Sequence, residues 1–308
     1  MPLKIALVGA GHMGKIHIEK LASLRDCLIA GVADIDPERA RQLAQKYNVP
    51  SFSDHKNLIG QSDGVIIATP TETHHQIARD FLKAGIHVLI EKPITSTQEE
   101  AKELIELSKE KKLVFQVGFL ERFNPAFIKS LPLITKPLII ESFRASGFTG
   151  RSTDIDVILD LMIHDIDLIL SIVQDEVRDI KAQGVSFVTD KLDMASARLE
   201  FSNGCIVNLN ANRISVKKER ALTIFEKDQI FFVDLINRKV LMTMKKNGGN
   251  INTEECPVNE FDMVEHEISS FIQSITTGTN PIVKGEDGLK ALTLADQIKR
   301  HIAERKLT

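Results

Sequence analysis

Cysteine is scarce in this chain. Its three copies, Cys27, Cys205 and Cys256, stand far apart in 308 residues and make no CxxC pair. That excludes a disulfide framework and a cysteine-built zinc site, and it leads us to expect reduced thiols in the cytoplasm. No apolar run approaches the roughly 20 residues that a membrane-crossing helix needs, so no membrane partner is expected. Charge of one sign is lacking too: a formal net charge of −3 offers no excess for nucleic acid or an anionic surface. There are no internal repeats and no low-complexity tracts, and the opening MPLKIALVGA runs straight into an apolar strand without a basic leader or cleavage site. With 43% hydrophobic and 26% charged residues the composition is ordinary for a globular protein, and the length suffices for two cores.

The first thirty-four residues organise what is present. An apolar run from Lys4 to Ala10 breaks into Gly9-x-Gly11-x-x-Gly14, a helical pattern follows from His12 to Leu24, and a second apolar run from Cys27 to Ala33 ends in Asp34. In such a strand–turn–helix the first glycine makes the tight turn, the second admits a pyrophosphate, and the third lets helix and strand pack closely. The helix start supplies free N–H groups and the positive end of its dipole. Asp34, twenty residues beyond Gly14, is placed to accept hydrogen bonds from ribose hydroxyls and to repel a 2′-phosphate, which predicts NAD as cofactor rather than NADP.

Short apolar strands alternate with amphipathic helices up to about residue 120: a helix over Pro37–Tyr47, strand Gly64–Ala68, a helix over His74–Ala84, strand His87–Ile90, a helix capped by Thr97 with Glu100, and strand Leu113–Val117. This alternation predicts a parallel, doubly wound α/β sheet. Beyond Glu121 the pattern changes. A strand over Leu138–Ala145 and a long apolar helix over Ile155–Val173 precede six antiparallel-type strands between Val177 and Thr243, and helices over Glu260–Thr276 and Gly288–Glu304 close the chain. The expected division is therefore 1–120 for a dinucleotide-binding domain and 121–308 for an α+β domain with an open, mostly antiparallel sheet.

Two constellations carry chemistry. Strand ends in a doubly wound sheet point to the ligand crevice, and Glu91-Lys92-Pro93 ends a strand. A lysine desolvated beside a cationic ring is suited to accept a proton, although the same spot would equally suit an ordinary surface lysine. On the helix over Ile155–Val173, Asp156, Asp160, His164, Asp167 and Ser171 fall on one stripe at 100° per residue, with Asp165 as the polar exception elsewhere. Asp160 and His164 are spaced i, i+4 and suit a carboxylate-oriented imidazole. The stripe also reads as the solvated face of an amphipathic helix.

Taken in order, Gly9-Ala10-Gly11-His12-Met13-Gly14, Ala68-Thr69-Pro70-Thr71-x-x-His74, Glu91-Lys92-Pro93 and Asp160-x-x-x-His164-Asp165-x-Asp167 resemble the Gfo/Idh/MocA oxidoreductases over essentially the whole chain. The resemblance implies an N-terminal Rossmann domain and a C-terminal domain whose open sheet joins subunits, giving a homo-oligomer, dimer or tetramer. It also implies hydride transfer between a sugar or cyclitol carbon and a nicotinamide. It places catalysis on Lys92, in a neighbourhood that often holds a cis peptide, with Asp160 and His164 as the remaining pair; which of Lys92 and His164 is the immediate base stays open. The first three motifs would line the cofactor, with His74 on the nicotinamide-ribose side. The stretch Gly118–Pro125 further resembles family members acting on nucleotide-linked (UDP) amino sugars. It nominates Arg122 and Asn124 for the substrate beside Lys92, Asp160 and His164. Arg151 and Arg213 are further candidates for a diphosphate, although each of these arginines taken alone reads more readily as a surface ion pair. An inositol or free-sugar dehydrogenase, or a non-catalytic NAD sensor, remains open as an alternative. His74-His75 has no carboxylate or cysteine at ligand spacing, so no metal is expected.

Overall fold

A computed structural model describes residues 2–150, 153–246 and 250–305. The chain forms two compact units, one of residues 1–120 with 262–289, the other of 121–261 with 290–308.

The first unit is built on six parallel strands: β1 (Leu3–Val8), β2 (Cys27–Ala33), β3 (Ser51–Phe52), β4 (Gly64–Ile67), β5 (His87–Glu91) and β6 (Phe115–Gly118), in the order β3-β2-β1-β4-β5-β6. The order reverses direction at β1, and in sheets of this kind the ligand crevice lies at that switch, outside the carboxyl ends of the strands. Helices α1 (His12–Ser23), α2 (Pro37–Tyr47), α3 (Thr71–Lys83) and α4 (Gln98–Lys111) make the crossovers. Asp36 caps α2 by accepting from the Glu38 and Arg39 N–H groups ahead of Pro37, and Thr97 and Glu100 close the expected capping box on α4. The two-residue β3 was not expected. It is too short to show a pattern, and its pairing to Val32 and Ala33 defines it.

One boundary needs correction. The sequence division put 121–308 in a single piece, but Asp262–Leu289 belongs to the first unit. Helix α7 (Met263–Thr277) buries Val264, Ile268, Phe271 and Ile272 in the same core as Ile5, Leu7, Ile18, Leu21, Ile66 and Leu89. Asp262 caps it through the Val264 and Glu265 N–H groups and also meets Lys20 Nζ at 2.9 Å. Burial of that apolar face, at roughly 1.5–3 kcal/mol per large side chain, outweighs adjacency in sequence.

The second unit is an eight-stranded sheet in the order β14-β13-β12-β11-β7-β10-β9-β8. Its strands are β7 (Ile139–Ala145), β8 (Val177–Val185), β9 (Met194–Phe201), β10 (Ile206–Asn212), β11 (Glu219–Phe225), β12 (Gln229–Asp234), β13 (Lys239–Lys245) and β14 (Ile251–Cys256). All its pairings are antiparallel except β7 with β10, as the expected open, mostly antiparallel sheet requires. Strand β14 was not foreseen; alternating polar residues (Asn252, Glu254) leave it without an apolar signature. Short α5 (Pro125–Ser130) and α6 (Ile163–Ile172) also belong to this unit, and α8 (Gly285–Arg305) ends the described chain. Register places Ile139, Phe143 and Phe232 on one face of the sheet, and all three are exposed there.

Candidate active site

The glycine turn has the geometry a dinucleotide needs. Gly9 sits at φ +102°, where a Cβ would overlap the Ala68 carbonyl, and its N–H donates to Ala33 O at 2.8 Å. A Cβ on Gly14 would overlap the Gly9 carbonyl, so the helix packs on the turn only without one. Gly11 differs: a Cβ there would face open space, and Gly11 caps α1 with no side-chain hydrogen bond. The first N–H groups of α1 therefore have no side-chain cap, and at the positive end of the helix dipole they suit an anion. His12 and Met13 open that helix. Asp34 closes the site from β2, its Oδ2 accepting from Ala10 N at 2.7 Å and its Oδ1 from Asp36 N at 2.9 Å. Those bonds fix the carboxylate beside the turn, and each oxygen keeps lone-pair capacity for a ribose hydroxyl. The donor set and the space fit NAD.

At the end of β4, Thr69 Oγ1 accepts from Thr73 Oγ1 at 2.8 Å, and Thr71 opens α3 behind Pro70. His74 is buried, with Nδ1 2.9 Å from Pro93 O and Nε2 2.9 Å from Thr69 O. It therefore ties the Thr69-Pro70-Thr71 segment to the turn after β5. Carbonyls only accept, so both bonds form together only on a ring protonated at each nitrogen. Burial pushes the His74 pKa below its ordinary value, against those carbonyls and the Glu91 charge; the neutral ring keeps one bond of the two. The Lys92–Pro93 bond is cis, as the resemblance implied. Lys92 is half-buried, directly after Glu91, whose Oε1 lies 2.7 Å from His17 Nε2. Burial works to raise the Glu91 carboxyl, but the His17 hydrogen bond and the Lys92 charge hold it below the usual range.

The second unit holds the other constellation, with differences from the regular helix expected. Asp156 lies before the helix and caps it, its Oδ1 accepting from Ile158 N at 3.1 Å and Leu159 N at 3.0 Å. Residues Ile158–Met162 form a π-turn ahead of α6, so a 100° stripe does not run straight through, and such widened turns recur at functional sites. Asp160 and His164 are half-buried and Asp167 is buried; this is not a solvated face. Arg122 NH1 stands 3.8 Å from Asp167 Oδ1, its side chain 12% exposed. Asp165, the polar exception, is held in a buried ion pair. Arg144 on β7 reaches both its oxygens at 2.7–3.1 Å and Glu121 Oε1 at 2.9 Å. Burial pushes the Asp165 carboxyl up against the pull of Arg144, and the two carboxylates keep Arg144 charged.

Two candidates from the sequence are spent elsewhere. Asn124 is buried; its amide donates to Glu121 Oε2 and Leu235 O, and its Oδ1 accepts from Ala126 N to cap α5. It is a cap, not a substrate ligand, and the Asn124-Pro125 pair is the sequence signal for that role. Arg213 is buried on Asp193 Oδ1 (2.9 Å), Thr189 Oγ1 and Ile155 O, which tethers the segment before the π-turn rather than a diphosphate. Arg151 lies outside the described residues. His17 and Glu267, both buried near Glu91, were missed. Their signal was a lone polar residue on an apolar helix face, His17 aligned with Leu21 and Glu267 with Val264 and Phe271. Among the described residues no group of three or more His, Cys, Asp or Glu is placed to hold a metal ion, and no helix is long and apolar enough to cross a membrane.

Residues 3–119 match the model of the oxidoreductase family with an NAD-binding Rossmann fold, and residues 142–229 match the GFO/IDH/MocA C-terminal domain. The UDP-N-acetylglucosamine 3-dehydrogenase of Acidithiobacillus ferrooxidans is 34% identical over 304 residues, 96% of each chain. This chain belongs to the Gfo/Idh/MocA oxidoreductase family. A crystal form of that same Acidithiobacillus enzyme superposes with a TM-score of 0.93 at 35% identity, over 98% of both chains. The myo-inositol 2-dehydrogenase of Thermotoga maritima is 26% identical over 99% of this chain and 97% of its own. As a member of the family the chain is an NAD-dependent dehydrogenase, and the Rossmann unit expected from Gly9–Gly14 and Asp34 is present.

Proposed function

We propose that this dehydrogenase oxidises a secondary hydroxyl of a UDP-linked amino sugar, UDP-N-acetylglucosamine at C3. The observation that carries this reading is the 34% identity spread over 96% of both chains with an enzyme of that name. Arg122 supports it: a guanidinium of low exposure, 3.8 Å from the Asp167 carboxylate, offers directional donors to a diphosphate or sugar hydroxyl.

In this reading the N–H groups at the start of α1, behind Gly11, His12 and Met13, hold the pyrophosphate of NAD, and Asp34 holds the adenosine ribose. Bound NAD supplies the hydride acceptor. Lys92 or His164 takes the hydroxyl proton as the hydride leaves the sugar carbon, and Asp160 orients the imidazole. Thr69, Pro70, Thr71 and His74 form the second wall of the cofactor site, with His74 bracing it rather than reaching outward. The exposed apolar face carrying Ile139, Phe143 and Phe232 is where we place the contact with a second copy of the chain.

The test is NADH formation from a panel of UDP-N-acetylglucosamine, free N-acetylglucosamine and myo-inositol. Turnover confined to the UDP-linked sugar supports the proposal. Preference for myo-inositol favours the second reading, which rests on the relative from Thermotoga.

A further inference from the structure

The first unit gathers polar side chains from four elements near the Glu91-Lys92-Pro93 turn: buried His17 of α1, Gln116 of β6 and Glu267 of α7, and half-buried Glu91 of β5. His17 and Gln116 are fully buried and Glu267 is 1% exposed. Nothing in the reaction proposed above uses His17 or Glu267.

We propose that His17 is a positioning residue for Lys92: by donating to Glu91 it holds that carboxylate as the fixed anion next to the lysine, and it thereby links the cofactor-binding helix to the charge state of the catalytic amine. The inference rests on the reading of Lys92 as proton acceptor. The hydrogen-bond geometry supports the link from His17 to Glu91, and Lys92 follows Glu91 directly at the strand end, close enough for the two charges to act on each other. A carboxylate only accepts, so the 2.7 Å contact is His17 Nε2–H donating to Glu91 Oε1. His17 lies six residues beyond Gly11, about 9 Å along α1 from the N–H groups that face the pyrophosphate. Gly118 leaves room for the carboxylate, since a Cβ there would lie 3.3 Å from both Glu91 Oε2 and Glu91 Cα.

Glu267 shows why the donor is needed. Two buried carboxyls that sense each other do not both ionise at neutral pH. Glu267 has an unpartnered buried Oε1, and burial, then the Glu91 charge, pushes its carboxyl well above the ordinary range. Glu91 instead accepts the His17 hydrogen bond from α1 and senses the Lys92 charge on its own strand end, with neutral His74 of α3 and protonated Glu267 of α7 as the other titratable groups near it. The charge therefore settles on Glu91. An anion fixed there makes the lysine amine more basic, so its loss shifts the amine toward the neutral, proton-accepting form at lower pH.

Trace acetylation of the intact protein, with the Lys92 peptide quantified by mass spectrometry across a pH series, reads this amine without cofactor or substrate. His17→Leu and Glu91→Gln should each lower the Lys92 midpoint by about one pH unit or more. His17→Gln, whose side-chain amide can donate in place of Nε2, should keep the native midpoint. In the Glu91→Gln background, His17→Leu should add no further shift. In turnover, the pH profile of kcat should move with the Lys92 midpoint while KM for NAD stays put. A native midpoint in folded His17→Leu, or a shift that adds in full to that of Glu91→Gln, overturns the inference. Where His17→Leu fails to fold by circular dichroism, His17→Asn, too short to reach, is compared with His17→Gln; equal midpoints overturn it. Should no sugar be oxidised by the native protein, the reading of Lys92 as a base fails, and the acetylation series still decides the link from His17.

Discussion

Replacing Arg144 by Met isolates the buried ion cluster of the second unit. The guanidinium is 3% exposed and makes three contacts of 2.7–3.1 Å to Asp165 and one of 2.9 Å to Glu121. After its loss Glu121 still has Arg220 at 3.2 Å and Asn124 at 3.0 Å, so the damage falls on Asp165, whose side chain is also 3% exposed. A stranded buried charge costs about 3–5 kcal/mol. Asp165 can escape by taking a proton, at about 1.4 kcal/mol for each pH unit above its pKa, or about 4 kcal/mol at neutral pH for an ordinary carboxyl. The two routes agree on about 3–4 kcal/mol at pH 7, and the second makes the penalty shrink on acidification. Urea unfolding followed by circular dichroism at neutral and mildly acidic pH measures it. Adding Asp165→Asn to Arg144→Met should recover most of the loss, because no charge is then stranded. A cost below about 1 kcal/mol, or one unchanged by Asp165→Asn, would refute the reasoning.

Replacing Asp34 by Ser should raise NADP affinity relative to NAD by roughly tenfold or more, since opposed like charges cost several kcal/mol; fluorescence titration of both cofactors checks it, and a native protein that already prefers NADP removes the role. Gly14→Ala should weaken NAD binding and cost about 1–3 kcal/mol of stability, because its methyl overlaps the Gly9 carbonyl; unchanged binding would show that the turn has slack. Glu267 stays protonated in the folded protein after the unfolded chain has released its proton. Its contribution is thus fully present below the ordinary glutamate pKa and is lost as pH rises toward the folded value, by about 1.4 kcal/mol per unit. Glu267→Gln should therefore gain stability relative to the native chain with rising pH, and parallel stability curves would contradict that.

The parallel sheet was legible because buried parallel strands are continuous apolar runs, and Gly9-x-Gly11-x-x-Gly14 with Asp34 has a spacing dictated by backbone approach to phosphate. What escaped depended on partners distant in sequence. Asp165 reads as an anomaly on an apolar helix until Arg144, twenty-one residues earlier, pairs with it. Helix α7 joins the first unit through Phe271 and Ile268, which no adjacency rule foretells. The stripe through Asp160 and His164 was drawn on regular helix geometry, and the π-turn at Ile158–Met162 breaks it. Asn124 and Arg213 show the converse: a polar side chain at the expected place is engaged by neighbouring carboxylates and backbone. Spacing locates polar groups, but only the fold reveals which of them have hydrogen-bonding capacity left.

The most direct test of the central claim is NADH formation from NAD and UDP-N-acetylglucosamine by the native chain and by Lys92→Met. The account predicts turnover in the native protein and a fall of about 10²–10⁴-fold in the variant, the usual reach of acid–base catalysis, with NAD affinity nearly unchanged. Equal rates in the two proteins, or tight NAD binding with no NADH formed by the native chain, would contradict it.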